Sequence, residues 1–177
     1  GQAALKGANT LLLESMRKPG LKLGITGKGR CNLTNISPIK EFIEHFGKNG
    51  RFLWQPFSHF FSDHLIQFLN SIEIPTKEER GGRIFPQSEK ATVVVKKMIE
   101  WAKATGVTIK SDQYVTKINI INGMVKGVEV DQVRSKGKIT YQGRIVILAS
   151  GGASYPQTGS DGNGYMLAKA TGHTVIP

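Results

Sequence analysis

A short apolar segment near the start of the chain, residues 9–14, ends in the carboxylate of Glu14. It follows a helix-compatible stretch, residues 2–6, and Gly7, which predicts the end of that helix. A helix, a glycine and then a buried strand closing on an acidic residue are typical of the second half of a βαβ unit. In such a unit the acidic residue follows the glycine-rich phosphate loop by about 20 residues, more than precede Glu14 here. We therefore expect the sequence to begin inside this unit.

The middle of the chain changes from helical to strand periodicity at Gly106. Before this glycine, apolar residues within 91–105 recur at the spacing of one helix face. After it, apolar and polar residues alternate in short runs, and the Asn122-Gly123 pair is typical of a hairpin turn. A final apolar run, residues 145–149, predicts a buried strand leading into a glycine turn. This layout predicts an α/β dinucleotide-binding domain with an antiparallel β-meander over about residues 113–142.

Two further segments, residues 39–46 and residues 63–72, are amphipathic at helical spacing. We expect the helical region, about residues 39–79, to pack as a separate layer over the site. A charged stretch, residues 77–83, predicts a loop. An earlier stretch rich in glycine and asparagine, residues 22–35, is expected to lack regular structure.

The net charge of +11, from 24 Lys and Arg against 13 Asp and Glu, allows an anionic cofactor, an anionic substrate or a nucleic-acid partner. The basic residues are scattered in short groups with acidic residues among them, which favours solvated surface charge. No recognised nucleic-acid-binding motif occurs, so a nucleic-acid partner is disfavoured.

The single cysteine, Cys31, excludes an intramolecular disulfide and a multi-cysteine zinc site, and it fits a reducing compartment. No apolar run approaches the roughly 18 residues that span a bilayer, and no secretory leader is recognised. We therefore expect a cytoplasmic protein with no membrane association. With no second cysteine beside it, Cys31 is interpreted as a packing residue rather than a nucleophile. The four histidines lack metal-ligand spacing, so no metal site is predicted.

Glu14 is the first candidate for binding chemistry. A carboxylate at the carboxyl end of a parallel strand can accept hydrogen bonds from both hydroxyls of a ribose. A surface acid or a helix cap at a strand end is the alternative interpretation of Glu14 alone.

Two glycine-rich loops are further candidates. In residues 27–32, glycines let backbone N–H groups approach a ligand closely. A phosphate there can be neutralised by Lys22, Lys28 or Arg30. The second loop, residues 149–164, follows the last predicted strand and precedes an amphipathic helix, whose first N–H groups can receive an anion. An ordinary polar surface turn is the alternative for each loop.

Three blocks of the sequence resemble one known family. Residues 21–35 (LKLGITGKGRCNLTN) closely resemble the signature of the BaiN-like, aminoacetone-oxidase-like NAD(P)/FAD-dependent oxidoreductases. Residues 80–91 (RGGRIFPQSEKA) look like a second block of that family, and residues 149–165 (ASGGASYPQTGSDGNGY) with residues 172–177 (GHTVIP) look like a third. The blocks keep their order and cover nearly the whole chain, so their combination is far more specific than any single glycine loop.

The resemblance implies a Rossmann-like FAD-binding domain of the glutathione-reductase type. It implies a domain truncated at both ends, without the first phosphate-loop unit and a C-terminal portion. Glu14 would hold the adenosine ribose, and Val115 would contact the adenine through its backbone. Residues 27–32 would lie along the cofactor, residues 149–152 beside its ribose and pyrophosphate, and residues 155–161 near the flavin. The cofactor-binding residues expected on this basis are Glu14, Lys22, Gly27, Gly29, Arg30, Cys31, Asn32, Val115, Ala149, Ser150, Gly151, Gly152, Tyr155, Gly159 and Asp161.

The function that the resemblance implies is that of an FAD-dependent oxidoreductase, passing hydride between FAD and a small substrate or NAD(P)H. The expected partner is a small-molecule substrate, with NAD(P)H as a candidate electron donor. A basic nucleic-acid-binding protein and a domain without activity of its own are the alternatives. No motif indicates the substrate, the catalytic residues or the oligomeric state.

Overall fold

The computed structural model describes residues 1–176. The helices are α1 (Gln2–Leu5), α2 (Leu21–Ile25), α3 (Ile39–Glu44), α4 (Trp54–His59), α5 (Ser62–Ser71), α6 (Ala91–Ala104) and α7 (Asn163–Ala170). The strands are β1 (Leu11–Leu13), β2 (Thr34–Asn35), β3 (Thr76–Glu79), β4 (Arg83–Pro86), β5 (Thr108–Lys110), β6 (Gln113–Ile121), β7 (Met124–Gln132) and β8 (Lys138–Gln142). None of the helices within residues 1–176 has both the length and the apolar character that crossing a bilayer demands.

The chain divides into two compact units. Unit 1 comprises Gly1–Lys22 and the residues from Ala102 onward, and unit 2 comprises Leu23–Trp101. Each unit has its own sheet structure, since β1 and β5 to β8 belong to unit 1, and β2 to β4 belong to unit 2.

The parallel part of unit 1 is a two-stranded sheet in which β1 pairs with β5 and Leu12 lies opposite Ile109. In the chain, α6 stands between these strands, and parallel neighbours require a crossover connection of this kind. Gly106 ends the helical segment with a left-handed φ of 91°, and its N–H donates to the carbonyl of Lys103 at 2.9 Å. The predicted α/β pattern is confirmed. The prediction that the first strand is buried is wrong in part, because Leu12 is 39% exposed.

The antiparallel part of unit 1 is the predicted β-meander, with the strand order β6-β7-β8. Asn122 and Gly123 form its first turn with φ values of 51° and 72°, as a type I′ hairpin requires. A Cβ built on Gly127 of β7 would lie 2.0 Å from the carbonyl oxygen of Tyr141 on β8. Only glycine therefore permits this strand pairing.

The predicted buried strand at residues 145–149 is wrong. This segment has no strand geometry, and Ile145 and Ile147 are 82% and 78% exposed. A strand needs a neighbour that bonds its N–H and C=O groups, and residues 145–149 make no backbone hydrogen bond within the described part of the chain. The apolar composition indicated burial, but composition does not supply the pairing partner that burial in a sheet requires.

Unit 2 packs helices against an antiparallel sheet with the order β2-β4-β3. The apolar faces of α5 and α6 meet in a core with the loop before β2 and the segment before β3. The buried residues of this core are Cys31, Leu69, Ile74, Ala91 and Val94. Helices α3, α5 and α6 confirm the three amphipathic segments predicted within this part of the sequence.

Two stretches predicted to be irregular contain regular structure. Within residues 22–35, α2 and β2 flank the glycine-rich loop, and residues 77–83 end one strand and begin the next. Gly81 and Gly82 turn the chain between β3 and β4 with φ values of 79° and 70°. The short polar strands β2 and β3 form because both pair with β4, whose Phe85 is buried.

Candidate functional site

Glu14 directly follows β1, at the carboxyl end of the parallel pair. Its N–H donates to the carbonyl of Lys110 at 2.9 Å, and its own carbonyl accepts from the N–H of Gln113 at 2.8 Å. One carboxylate oxygen, Oε1, accepts from the N–H of Met16 at 2.9 Å and from Oγ of Ser15 at 3.4 Å. The second oxygen has no hydrogen-bond partner within residues 1–176. The carboxylate is therefore oriented by the backbone and keeps one oxygen free for a ligand.

Asp161 links the start of α7 to β6. Its Oδ1 accepts from the N–H of Asn163 at 3.0 Å, and its Oδ2 accepts from the hydroxyl of Tyr114 at 3.0 Å. Burial and then the hydrogen bond to Asp161 raise the pKa of Tyr114. The side-chain amide of Asn163 donates in turn to the carbonyl of Val115 at 2.8 Å. Both oxygens of Asp161 and the carbonyl of Val115 are thus engaged inside unit 1.

Residues 150–152 pack closely against the start of α7. The N–H of Gly162 donates to the carbonyl of Gly152 at 3.1 Å. A Cβ built on Gly164 would lie 2.1 Å from Oγ of Ser150. Glycine at this position therefore lets the helix start approach the preceding turn.

Gly159 brings the second glycine-rich loop beside Glu14. A Cβ built on Gly159 would lie 3.7 Å from Oε1 of Glu14 and 3.0 Å from Cγ of Met16. The loop is thus in contact with the end of β1, and through Asp161 with β6. The predicted site residues that unit 1 brings together are Glu14, Val115, Ser150, Gly151, Gly152, Gly159 and Asp161.

Three other predicted residues of unit 1 lie around this cluster. Ala149 and Tyr155 are exposed. Nζ of Lys22 donates to Oγ of Ser154 at 2.8 Å. Lys22 therefore lies against the second glycine-rich loop, in the same unit as Glu14.

The remaining predicted residues form the first glycine-rich loop, in unit 2. Gly29 and Asn32 are exposed, whereas the side chain of Cys31 has no exposed surface and lies in the core. Burial raises the pKa of the Cys31 thiol. Cys31 as a whole, backbone included, therefore has no surface open to a ligand in this structure. The guanidinium of Arg30 forms ion pairs with two carboxylates of unit 2.

Two residues of the unit 1 cluster were not among the residues predicted from the sequence. Asn163 lies in the polar glycine-rich run that the sequence did single out, and an asparagine in the first turn of a helix is a usable signal for a bridging side chain. Tyr114 lies near the start of the ordinary alternating strand β6, and no local pattern distinguishes it.

An aromatic cluster in unit 2 was also missed as a candidate site. Phe42 makes edge-on contacts with Phe57 and Phe61, with ring centroids 5.5 and 5.1 Å apart. A cavity of about 280 Å³ lies beside it, lined by Asn35, Ser37, Phe42, His45 and Phe46. Six of the eight phenylalanines fall within residues 42–61, and this density was the available signal.

Several curated proteins are similar to this chain. A 3-dehydro-bile acid delta(4,6)-reductase of Clostridium scindens is 32% identical over 176 residues, which cover 96% of this chain and 39% of the reductase. A ribosomal RNA dihydrouridine synthase of Escherichia coli is 26% identical over 188 residues, covering 100% of this chain and 41% of the synthase. The synthase of the same name from Haemophilus influenzae is 26% identical over 176 residues, which cover 99% of this chain and 42% of that synthase. The chain thus spans about two fifths of the length of the curated relatives it matches.

Solved structures show the same fold at low identity. THI4 of Thermovibrio ammonificans superposes with a TM-score of 0.58 at 14% identity, over 88% of this chain and 53% of THI4. BexE superposes with a TM-score of 0.52 at 16% identity, over 98% of this chain and 30% of BexE. At these identities the likeness concerns the fold alone.

One known protein family matches the sequence over its full length. Residues 1–177 match the family described as HI0933-like protein Rossmann domain. This match confirms the family that the three sequence blocks predicted, and it confirms the Rossmann-like fold class. The chain belongs to the HI0933-like Rossmann family.

Proposed function

We propose that this protein is an FAD-dependent oxidoreductase and that unit 1 binds the adenosine end of the cofactor. The observation that carries the proposal is the geometry of Glu14, whose carboxylate is held by the Met16 N–H and keeps one oxygen without a partner in residues 1–176. A carboxylate at the carboxyl end of a parallel strand can accept hydrogen bonds from ribose hydroxyls. Membership of the HI0933-like Rossmann family supports the same class of protein.

The surroundings of Glu14 fit this use. Gly159 places the second glycine-rich loop beside this carboxylate, since a Cβ there would lie 3.7 Å from Oε1, the oxygen that Met16 already binds. Residues 150–152 belong to the same cluster and would hold neighbouring parts of the cofactor, whereas the carbonyl of Val115 is already engaged by Asn163. When bound, FAD supplies hydride transfer, which amino-acid side chains do not provide. The residues of this chain bind and orient it.

We further propose that the reaction adds hydrogen across a ring carbon–carbon double bond. One relative is named for reducing the delta(4,6) positions of a 3-dehydro-bile acid, and two are named for making dihydrouridine. Both names describe the saturation of ring carbons. One carbon of the substrate receives a hydride and its neighbour a proton, while NAD(P)H is oxidised to NAD(P)⁺.

The aromatic cavity of unit 2 supports a ring-shaped substrate. Its walls include Phe42 and Phe46, and Asn35, Ser37 and His45 add polar groups. Sites for small organic ligands typically combine apolar walls with a few polar groups that fix orientation. Unit 2 by itself therefore offers a place for a small ring-shaped ligand.

A uracil base in RNA is the second candidate substrate. Unit 1 carries thirteen Lys and Arg against five Asp and Glu, so most of the net charge of +11 lies there. A basic surface attracts the phosphates of a nucleic acid, with an affinity that falls steeply as salt rises. The small substrate takes precedence, because the relative named for one is 32% identical and the relatives named for RNA are 26% identical.

The cofactor proposal is tested by titrating the full-length protein with FAD and with FMN, which lacks the adenosine. Replacing Glu14 by Ala should weaken FAD binding by about 10- to 100-fold, because two charge-assisted hydrogen bonds are lost. FMN binding should be unchanged. Glu129→Gln, which removes a half-buried carboxylate of the meander that pairs with Lys117, is the control and should leave both affinities unchanged. Equal FAD affinity in Glu14→Ala and the wild type would contradict the proposed site.

The reaction proposal is tested by NAD(P)H consumption with two substrates, a 3-oxo-4,6-diene bile acid and a uridine-containing RNA. Oxidation of NAD(P)H in the presence of the bile acid, with a product heavier than the bile acid by two hydrogen atoms, supports the small-substrate proposal. Turnover with RNA alone, declining steeply with salt, supports the second candidate. Turnover with neither substrate by the FAD-loaded protein would contradict both.

A further inference from the structure

The first glycine-rich loop of unit 2 is held in an unfavourable backbone conformation. Gly27, Lys28, Gly29 and Cys31 have φ values of 56°, 56°, 85° and 65°. Left-handed backbone is unfavourable for a residue with a side chain, so Lys28 and Cys31 are strained. Such strain persists only where the surrounding structure fixes it. The contacts that hold this loop therefore decide whether its ligand-facing shape exists before a ligand arrives.

Arg30 is the member of this run with right-handed backbone, at φ −90°, and its side chain leaves the loop for the sheet. Its Nη2 donates to Oε1 of Glu79 on β3 and, at 3.1 Å, to Oε1 of Glu89. Its Cζ lies 4.4 Å from the ring centroid of Phe85 on β4, a cation–π distance. The guanidinium is thus fixed on three sides by residues of unit 2.

The charges around Arg30 are balanced locally. Nζ of Lys77 contacts the same two carboxylate oxygens, on Glu79 and Glu89. Two cations therefore face two carboxylates. The hydrogen bond to Glu79 is the main reason why the pKa of Arg30 is raised. Lys28, in contrast, is exposed and forms no ion pair within residues 1–176. Lys28 is the cation of the loop that remains free to meet an anion.

We propose that Arg30 is a positioning residue that holds the first glycine-rich loop in its ligand-binding shape through Glu79 and Glu89, and is not a ligand of the cofactor phosphates. Its effect on FAD rests on the proposed function, whereas its effect on the loop does not. The planar guanidinium lies over the Phe85 ring while its Nη2 reaches both carboxylates, a combination that the point charge of a lysine ammonium does not reproduce.

Replacing Glu79 by Gln distinguishes a phosphate ligand from a positioning residue, because the two roles of Arg30 predict different changes in FAD affinity. If Arg30 is a phosphate ligand, removing a competing carboxylate leaves FAD binding unchanged or tighter. If Arg30 is a positioning residue, the loop loses its anchor and FAD binding weakens, by about tenfold if the competent loop population falls to about one tenth. Arg30→Gln should weaken binding to the same extent, and the double variant should add little further loss. Arg30→Lys should not restore the wild-type affinity.

Arg83→Gln is the matched control. Arg83 also lies near the Phe85 ring, with Cζ 5.8 Å from its centroid, but it pairs with no carboxylate within residues 1–176. Its loss should leave FAD affinity unchanged.

Amide hydrogen exchange of residues 27–32 in the absence of FAD provides the second measurement. Exchange should accelerate in Glu79→Gln and in Arg30→Gln but not in Arg83→Gln. If one variant also loses protection in β4, Glu89→Gln takes its place. Unchanged exchange, or FAD binding by Glu79→Gln as tight as in the wild type, would overturn the proposal. A wild-type protein that binds no FAD would refute the proposed function, and the exchange result would still decide the role of Arg30.

Discussion

The side-chain amide of Asn163, the first residue of α7, donates a hydrogen bond of 2.8 Å to the carbonyl oxygen of Val115 on β6. The two residues are 48 positions apart in the chain. Beside this bond, the carboxylate of Asp161 accepts from the hydroxyl of Tyr114 at 3.0 Å. The two bonds together fix the second glycine-rich loop to the meander.

Replacing Asn163 by Ala should lower the free energy of unfolding by about 1–2 kcal/mol, because the partly buried carbonyl of Val115 loses its partner. Asn49→Ala is the control, since Asn49 is exposed and its side chain makes no hydrogen bond within residues 1–176. Its loss should change stability by less than about 0.5 kcal/mol. Denaturant titration measures the stability of both variants. Equal losses of stability would show that the hydrogen bond from Asn163 to Val115 contributes nothing.

Gly27 and Gly29 should respond differently to a methyl group. Both have left-handed backbone, but a Cβ on Gly27 would lie 2.8 Å from the backbone nitrogen of Asn32, and a Cβ on Gly29 meets nothing within 4 Å. Gly29→Ala should therefore cost only the backbone penalty of about 1–2 kcal/mol. Gly27→Ala should cost about 1–3 kcal/mol more, because the clash adds to that penalty. Thermal unfolding measures the stability of the two variants. Equal losses of stability would contradict the close packing described for Gly27.

Turns illustrate what local sequence can predict. The Asn122-Gly123 pair predicted the first turn of the meander, because turn chemistry depends on the residues of the turn alone. The position of Arg30 depends on Glu79 and Glu89, about 50 and 60 residues away. No local pattern contains that pairing, so the ion-pair network of Arg30 could not be predicted from the sequence.

The strands show the same limit. Residues 145–149 are apolar enough for a buried strand, yet they pair with nothing within residues 1–176. Strands β2 and β3 are polar and short, yet they form because β4 lies between them. Helix faces were predictable because one helix carries its own periodicity, whereas a strand is defined by its neighbour.

The ion-pair network should make stability depend on acidic pH. The hydrogen bond from Arg30 lowers the pKa of Glu79, and that from Lys77 lowers the pKa of Glu89. Both carboxylates bind protons less readily in the folded chain than in the unfolded chain, where the pKa is about 4.3. The stabilisation is therefore present above about pH 4.3 and is lost as the pH falls through the lower folded-state values.

The double variant Glu79→Gln/Glu89→Gln should consequently be less stable at pH 7 and should lose less stability between about pH 5 and pH 3. Glu41→Gln, an exposed carboxylate without an ion pair in residues 1–176, serves as the control. Denaturant titrations at each pH measure the effect. Parallel pH profiles for the wild type and the double variant would rule out this contribution.

The thiol of Cys31 should be unreactive in the folded protein. Its side chain has no exposed surface, and burial raises its pKa, so little thiolate is present at neutral pH. A thiol-specific chromogenic reagent should react slowly with the native chain and rapidly in denaturant. Because the sequence contains one cysteine, the signal has one source. Rapid reaction under native conditions would contradict the packing of Cys31 in the core.

The most direct measurement is the absorption spectrum of the purified full-length protein, combined with chromatography of the flavin that it releases on denaturation. We expect flavin absorption bands and about one equivalent of FAD per chain, because Glu14 and its surroundings select the adenosine end of the dinucleotide. FMN in place of FAD would contradict the role of Glu14. A folded, colourless protein that cannot be reconstituted with FAD would contradict the assignment as a flavin-dependent oxidoreductase.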